Sequence, residues 1–156
     1  MAQAKLLLDT NVVIDFLDGR NINREETLLL FTAGRVGEFS LWISASQVTD
    51  LVYILSEGGK AKLIPNVLER LRLLRTFVNV YAVNAFQIDA MLGTSWKDPE
   101  DALLYEVARA ISADAIITNN VADFEQDAIR VLNCPDFFKW LEAERGLTYQ
   151  EVQLLP

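Results

Sequence analysis

Five short apolar runs alternate with stretches of helical spacing, and this alternation constrains the fold more than any other feature of the chain. The runs are KLLLD (5–9), FSLWIS (39–44), VNVYAV (78–83), DAIIT (114–118) and AIRVL (128–132). Between them, apolar residues recur at the three- and four-residue intervals of a helix. Helices are expected at NVVIDFL, 23–35, 46–57, 61–76, near 85–92, 98–112 and 135–144. In SQVTDLVYILSE, Val48, Leu51, Val52 and Leu55 share one side, and Gly58-Gly59 ends the helix. Strands alternating with helices predict an α/β fold whose central, mainly parallel five-stranded sheet is covered on both faces. A chain of 156 residues suits one domain. Residues 1–145 hold the predicted elements, and 146–156 read as a C-terminal tail.

The residue types present narrow the chemistry. There is no histidine, which excludes Ser-His-Asp and Cys-His catalysis, His-ligated zinc and imidazole acid–base work. Cys134 is alone, so it forms neither an internal disulfide nor a thiolate zinc cage, and it reads as a small buried hydrophobe. Hydrolytic chemistry is left to carboxylates, hydroxyls, Lys/Arg or a metal held by oxygen. The formal charge of -8 argues against a broad grip on a nucleic-acid backbone, which needs a basic face. It is compatible with a local acidic pocket neutralised by divalent cations. No apolar run reaches the roughly 18 residues of a membrane span. MAQAKLLLDTN lacks the h-region and cleavage site of a signal peptide, so a cytoplasmic location is expected.

In open α/β sheets, sites form beyond the carboxyl ends of the strands. The polar residues there are Asp9, Thr10 and Asn11 after the first run, and Ser44, Ser46 and Asp50 after the second. Asp98, Glu100 and Asp101 precede the long helix, and Thr118, Asn119, Asn120 and Asp123 follow the fourth run. Local structure explains some of them. Asp9 or Thr10 can cap a helix, and Asp98-Pro99 is a strong helix start with acids in its first turn. Asn119-Asn120 suits a turn. Capping does not explain why Asp50 interrupts an apolar helical stretch, or why Asp123 joins the same rim. Carboxylates that converge without a basic partner repel one another. Mg²⁺ or Mn²⁺, which prefer oxygen ligands, relieve that repulsion, and a pair of such ions can drive phosphodiester hydrolysis.

With these residues in place, the sequence resembles the PIN-domain nucleases, and within them the toxins of VapBC-type toxin–antitoxin systems. LLLDTNVVIDFL is similar to the family's first acidic motif, and ISASQVTDLVYIL to the second, with Asp50 where the family usually has Glu. DPEDALLYEVARAISADAIIT resembles the third motif, with Asp101 as its acid and Asp98 as the extra acid of one branch. IITNNVADF resembles the fourth, which often reads Thr-x-Asp but has Asn120 here. The resemblance spans about residues 5–140. It implies a three-layer α/β/α fold, an acid cluster binding Mg²⁺ or Mn²⁺, ribonuclease activity, a homodimer and a partner antitoxin.

On this basis the expected function is endoribonucleolytic hydrolysis of RNA by a metal-activated water. Asp9 and Asp101 are the expected central metal ligands, with Asp98, Asp50 and Asp123 completing the cluster directly or through water. Thr118 and Asn120 are expected to orient ligands or the attacking water. The alternative is a PIN-like module that binds RNA or a protein without cutting, motivated by Asn120 and the net negative charge. A phosphoacceptor receiver domain fits less well: Asn84 follows VNVYAV and Asn133 follows AIRVL, where an Asp and a Lys are needed. The helix around 60–75 carries Lys60, Lys62, Arg70, Arg72 and Arg75, either a solvated face or a contact for RNA or antitoxin. Trp42, Trp96 and Trp140 read as core or interface residues, with stacking of Trp96 on a base as the functional alternative.

Overall fold

The first apolar run forms the middle of the sheet. β1 (Ala4–Leu8) lies between β2 (Phe39–Ser44) and β4 (Ala115–Ile117), and β3 (Val78–Tyr81) and β5 (Arg130–Leu132) form the edges. This computed structural model describes residues 2–19, 23–125 and 128–149. The strand order is β3-β2-β1-β4-β5 and every pairing is parallel. A sheet expected to be mainly parallel is therefore wholly parallel.

Side chains alternate across the sheet, which is why near-continuous apolar runs were needed. Leu6 and Leu8 enter one core with Ile117, and Leu7 enters the other with Ile116. The first core is closed by α1 (Thr10–Asp18), α2 (Arg24–Arg35), α3 (Ala45–Leu55), α4 (Ile64–Arg75) and α7 (Cys134–Arg145). The second is closed by α6 (Pro99–Ala110), against which α5 (Ala85–Leu92) packs. Three layers result, as the resemblance implied. Gly34 lets α2 lie directly on β2, because a Cβ there would stand 2.3 Å from Leu41 Cδ1.

Element boundaries differ from expectation where local chemistry intervenes. β1 stops at Leu8 because Asp9 turns to cap α1, its carboxylate accepting from the Thr10 amide. α3 starts at Ala45 because Ser44 and Gln47 form a reciprocal capping box. α4 starts at Ile64, three residues later than expected, with a proline in its first turn. Cys134 is buried at the start of α7. Trp42, Trp96 and Trp140 are all half-buried in the layers. Part of the expected tail is docked: Tyr149 packs on Phe39 and Phe138 at ring distances of 5.3 and 5.8 Å, while residues 150–156 lie outside the described residues. Among the described residues no helix is long and apolar enough to cross a membrane.

The strand order reverses between β1 and β4, which run in parallel to their own neighbours on either side. Such a switch point opens a crevice beyond the carboxyl ends of the two strands. Asp9 and Thr118 are the first residues past those ends.

Candidate active site

Asp9 is held in one orientation by its surroundings. Its Oδ1 accepts from the Thr10 amide at 2.7 Å. Its Oδ2 accepts from the Thr118 hydroxyl at 2.8 Å and from Asn11 Nδ2 at 3.3 Å. The Asn120 amide in turn donates to Thr118 Oγ1 at 3.0 Å, which turns that hydroxyl's proton towards Asp9. Gln47, buried beneath, donates to Leu8 O at 3.0 Å and to Thr10 Oγ1 at 3.1 Å, and accepts from the Ser44 amide at 2.7 Å. The ends of β1 and β2 are thereby tied to the start of α3.

A cleft of about 330 Å³ opens over this lattice. Asp9, Asp50, Glu100 and Asp101 contribute its acids, Thr10, Ser46 and Gln47 its neutral polar groups, and Tyr53, Ile54 and Leu104 its apolar wall. No lysine or arginine is among the described lining residues. Asp9 and Asp101 are only 8% and 9% exposed. Asp101 has no hydrogen-bond partner among the described residues.

The crowding shows in the acidities. Burial, followed by the charges of Asp9, Asp98, Asp123 and Glu100, pushes the Asp101 carboxyl up to about 7. Burial also raises Asp9, against the pull of the hydrogen bonds from Thr118 and the Thr10 amide. Glu100 is raised by partial desolvation and by a hydrogen bond with the Asp50 side chain. A like charge this close opposes ionisation of Glu100.

The seven residues expected to form the site divide by position. Asp9, Asp50 and Asp101 line one cleft and Thr118 supports it from below. Asp98 sits at the cap of α6, accepting from the Glu100 amide at 2.9 Å, and acts on Asp9 and Asp101 through its charge. Asp123 is exposed at the end of the 3₁₀ turn Val121–Asp123 and likewise reaches Asp101 through charge. Asn120 contributes its backbone amide, through Thr118. Among the described residues no three Asp, Glu or Cys side chains are positioned to hold a metal ion as they stand. Glu100 and Gln47 are the residues that sequence reasoning did not assign to the site. Glu100 was visible as a first-turn acid beside Asp101, a position that capping alone explains.

Other expected contacts are used within the fold. Arg70 bonds Leu17 O and Asp18, Arg72 pairs with Glu69, Arg75 donates to Val78 O, and Lys60 pairs with Glu57. Lys60, Arg70 and Arg72 are thus paired with acids, and Arg75 with a backbone carbonyl. Trp96 packs on Tyr105 and Phe124, with centroids 5.4 and 6.0 Å away, and so is committed to the core around α6.

The comparisons agree with this architecture. Ribonuclease VapC1 of Aquifex aeolicus (strain VF5) is 28% identical over 138 residues, covering 88% of this chain and 95% of that protein. The structure of VapBC2 from Rickettsia felis bound to a DNA fragment from their promoter superposes with a TM-score of 0.61 at 17% identity, over 83% of this chain and 98% of that one. DNA-bound VapBC from Salmonella typhimurium gives a TM-score of 0.61 at 20% identity, over 85% of this chain and 99% of that one. The sequence itself matches the PIN domain over residues 5–122 of 156, and the chain belongs to the PIN domain family.

Proposed function

We propose that the protein is a divalent-metal-dependent endoribonuclease, the toxin of a toxin–antitoxin pair. The observation that carries this reading is Asp101: nine-tenths buried, without a hydrogen-bond partner among the described residues, and sharing its cleft with three other acids and no cation. The likeness to Ribonuclease VapC1 and to the VapBC structures supports it.

The donor set fits a hard cation, since every polar lining group is oxygen-bearing and the acids are short of positive charge. Asp9 and Asp101 would hold Mg²⁺ or Mn²⁺ directly, and Asp50, Glu100, Asp98 and Asp123 directly or through water. Bound there, the ion would polarise a phosphodiester and acidify a water. The chain's own part is orientation. Thr118 and the Thr10 amide fix both oxygens of Asp9, and the Asn120 amide sets the Thr118 hydroxyl. Gln47 keeps Thr10 and the end of β1 in register with α3. Asp50 and Glu100 stand close enough for the Asp50 charge to oppose ionisation of Glu100, a repulsion that a cation would relieve.

The test is cleavage of structured RNA in Mn²⁺ by the wild type and by Asp9→Asn. The reading expects products with 5′-phosphate and 3′-hydroxyl ends from the wild type alone; equal cleavage by both would remove the site. A second reading, a module that binds RNA or protein without cutting, is favoured by Asn120, which brings no charge to the rim. Tight Mn²⁺ binding that Asp9→Asn abolishes would count against it. An antitoxin partner and a homodimer complete the proposal; co-expression with the product of an adjacent small reading frame and light scattering test them in turn.

A further inference from the structure

The cleft poses a problem for a nucleic-acid substrate, because its described walls offer a phosphodiester backbone no cationic side chain. Phosphate contacts usually supply much of such affinity. The remaining sources are the cations that the proposed site would hold and the apolar wall. Tyr53 is the aromatic residue of that wall. It lies on α3 three residues after Asp50, so both side chains share a face of the helix. The residue is 63% exposed, although it borders nine-tenths-buried carboxylates. Among the described residues the ring meets no other aromatic ring and the hydroxyl has no hydrogen-bond partner.

The backbone beneath the ring is held firmly. Tyr53 O accepts from the Gly58 amide at 2.9 Å and from the Ser56 hydroxyl at 3.2 Å, and Ser56 Oγ accepts from the Gly59 amide at 3.0 Å. Ser56 is fully buried. This turn needs three successive left-handed residues, Glu57, Gly58 and Gly59, at φ 53, 85 and 88. The ring tip stands beside Gly58, where a Cβ would lie 3.8 Å from the Tyr53 hydroxyl. An exposed aromatic ring on a fixed support loses little freedom when a flat partner stacks on it.

Resting on the nuclease reading, we propose that Tyr53 is the base-stacking residue of the cleft, carrying the nucleobase beside the phosphodiester presented to Asp9 and Asp101. Stacking accepts any base and needs it unpaired. Tyr53 thus favours an unpaired nucleotide at the cut and adds affinity that the acidic walls do not.

The experiment measures binding of a fluorescein-labelled, mixed-sequence single-stranded oligoribonucleotide by anisotropy, with Ca²⁺ in place of Mn²⁺, for the wild type, Tyr53→Ala, Tyr53→Phe and Tyr53→Trp. Melting and light scattering check fold and mass, and steady-state cleavage in Mn²⁺ runs alongside. We expect Tyr53→Ala to weaken binding at least about fivefold and to raise KM with little change in kcat, and Tyr53→Phe and Tyr53→Trp to bind as the wild type does. Equal binding by Tyr53→Ala, equal loss in Tyr53→Phe, or a loss that follows a change in mass overturns the proposal. So does a wild type that binds no RNA. Binding that depends on Tyr53 without any cleavage overturns the nuclease reading and leaves the stacking residue standing.

Discussion

At the amino end of the sheet, the Lys5 amide donates to Asp114 Oδ2 at 2.8 Å, its ammonium donates to Ile111 O at 2.9 Å, and Arg145 lies 3.6 Å from the same Asp114. Trp140 accepts the guanidinium groups of Arg130 and Arg145 over its ring, 4.7 and 5.3 Å from its centroid. At the carboxyl end, Asp9, Asp50, Glu100 and Asp101 gather round one cleft that no described lysine or arginine lines. The same strands connect the two ends. The amino end resolves its charges within the chain, as structural ion pairs do. The carboxyl end has no such partner among its described lining residues. An acid cluster that only capped helices would gain nothing from placing Asp101 in the cleft with a carboxyl at about 7.

Breaking the acidic end should have the largest effect. Asp9→Asn and Asp101→Asn should each lower RNA cleavage by about 100-fold or more, read as initial rates in Mn²⁺. Next comes the support beneath it. Thr118→Val removes the hydroxyl that fixes Asp9 Oδ2 while keeping the side chain's shape, and should weaken Mn²⁺ binding by about 10–100-fold in calorimetry. An unchanged affinity would mean that Asp9 is oriented without Thr118. At the amino end the effect should be on stability alone. Asp114→Ala strips the Lys5 amide and Arg145 of their partner and should lower stability by about 1–2 kcal/mol in urea unfolding, with Mn²⁺ affinity unchanged.

The smallest effect is a pH slope. The folded chain holds a proton on Asp101 up to about pH 7, whereas its ordinary value is 3.8. The stability this proton brings is full below the ordinary value and is lost as pH rises through 7. The metal-free protein should therefore melt lower at pH 8 than at pH 6, by roughly 2–4 °C for about 1 kcal/mol. Asp101→Asn should flatten that slope, and a slope unchanged in the variant would place the proton elsewhere.

The ends of the strands were legible in the sequence because polar residues interrupt apolar runs there, as in LLLDTN. The order of the strands was not, since nothing local tells β1 that β2 and β4 will flank it. Asp9 and Asp101 could be placed because strand end and helix start each fix a residue's direction. Asp98 and Asp123 followed the same rule but point their charge at the cleft without lining it, a distinction that depends on the helix cap and on the 3₁₀ turn. Glu100 was hidden by a sufficient local explanation, and Gln47 by its position inside a capping box, whose second role towards Thr10 appears only when β1 and α3 meet. The positive charges at 60–75 read as a free surface because their partners, Leu17, Asp18 and Val78, lie on other elements or beyond the helix end.

The central claim is that the carboxyl end of the sheet is built to receive a divalent cation. Calorimetric titration of the metal-free protein with Mn²⁺, for the wild type and Asp101→Asn, tests it most directly. Saturable binding by the wild type, with release of protons at pH 7, and its loss in the variant are expected. Equal binding by the two proteins, or no binding by the wild type, would contradict it.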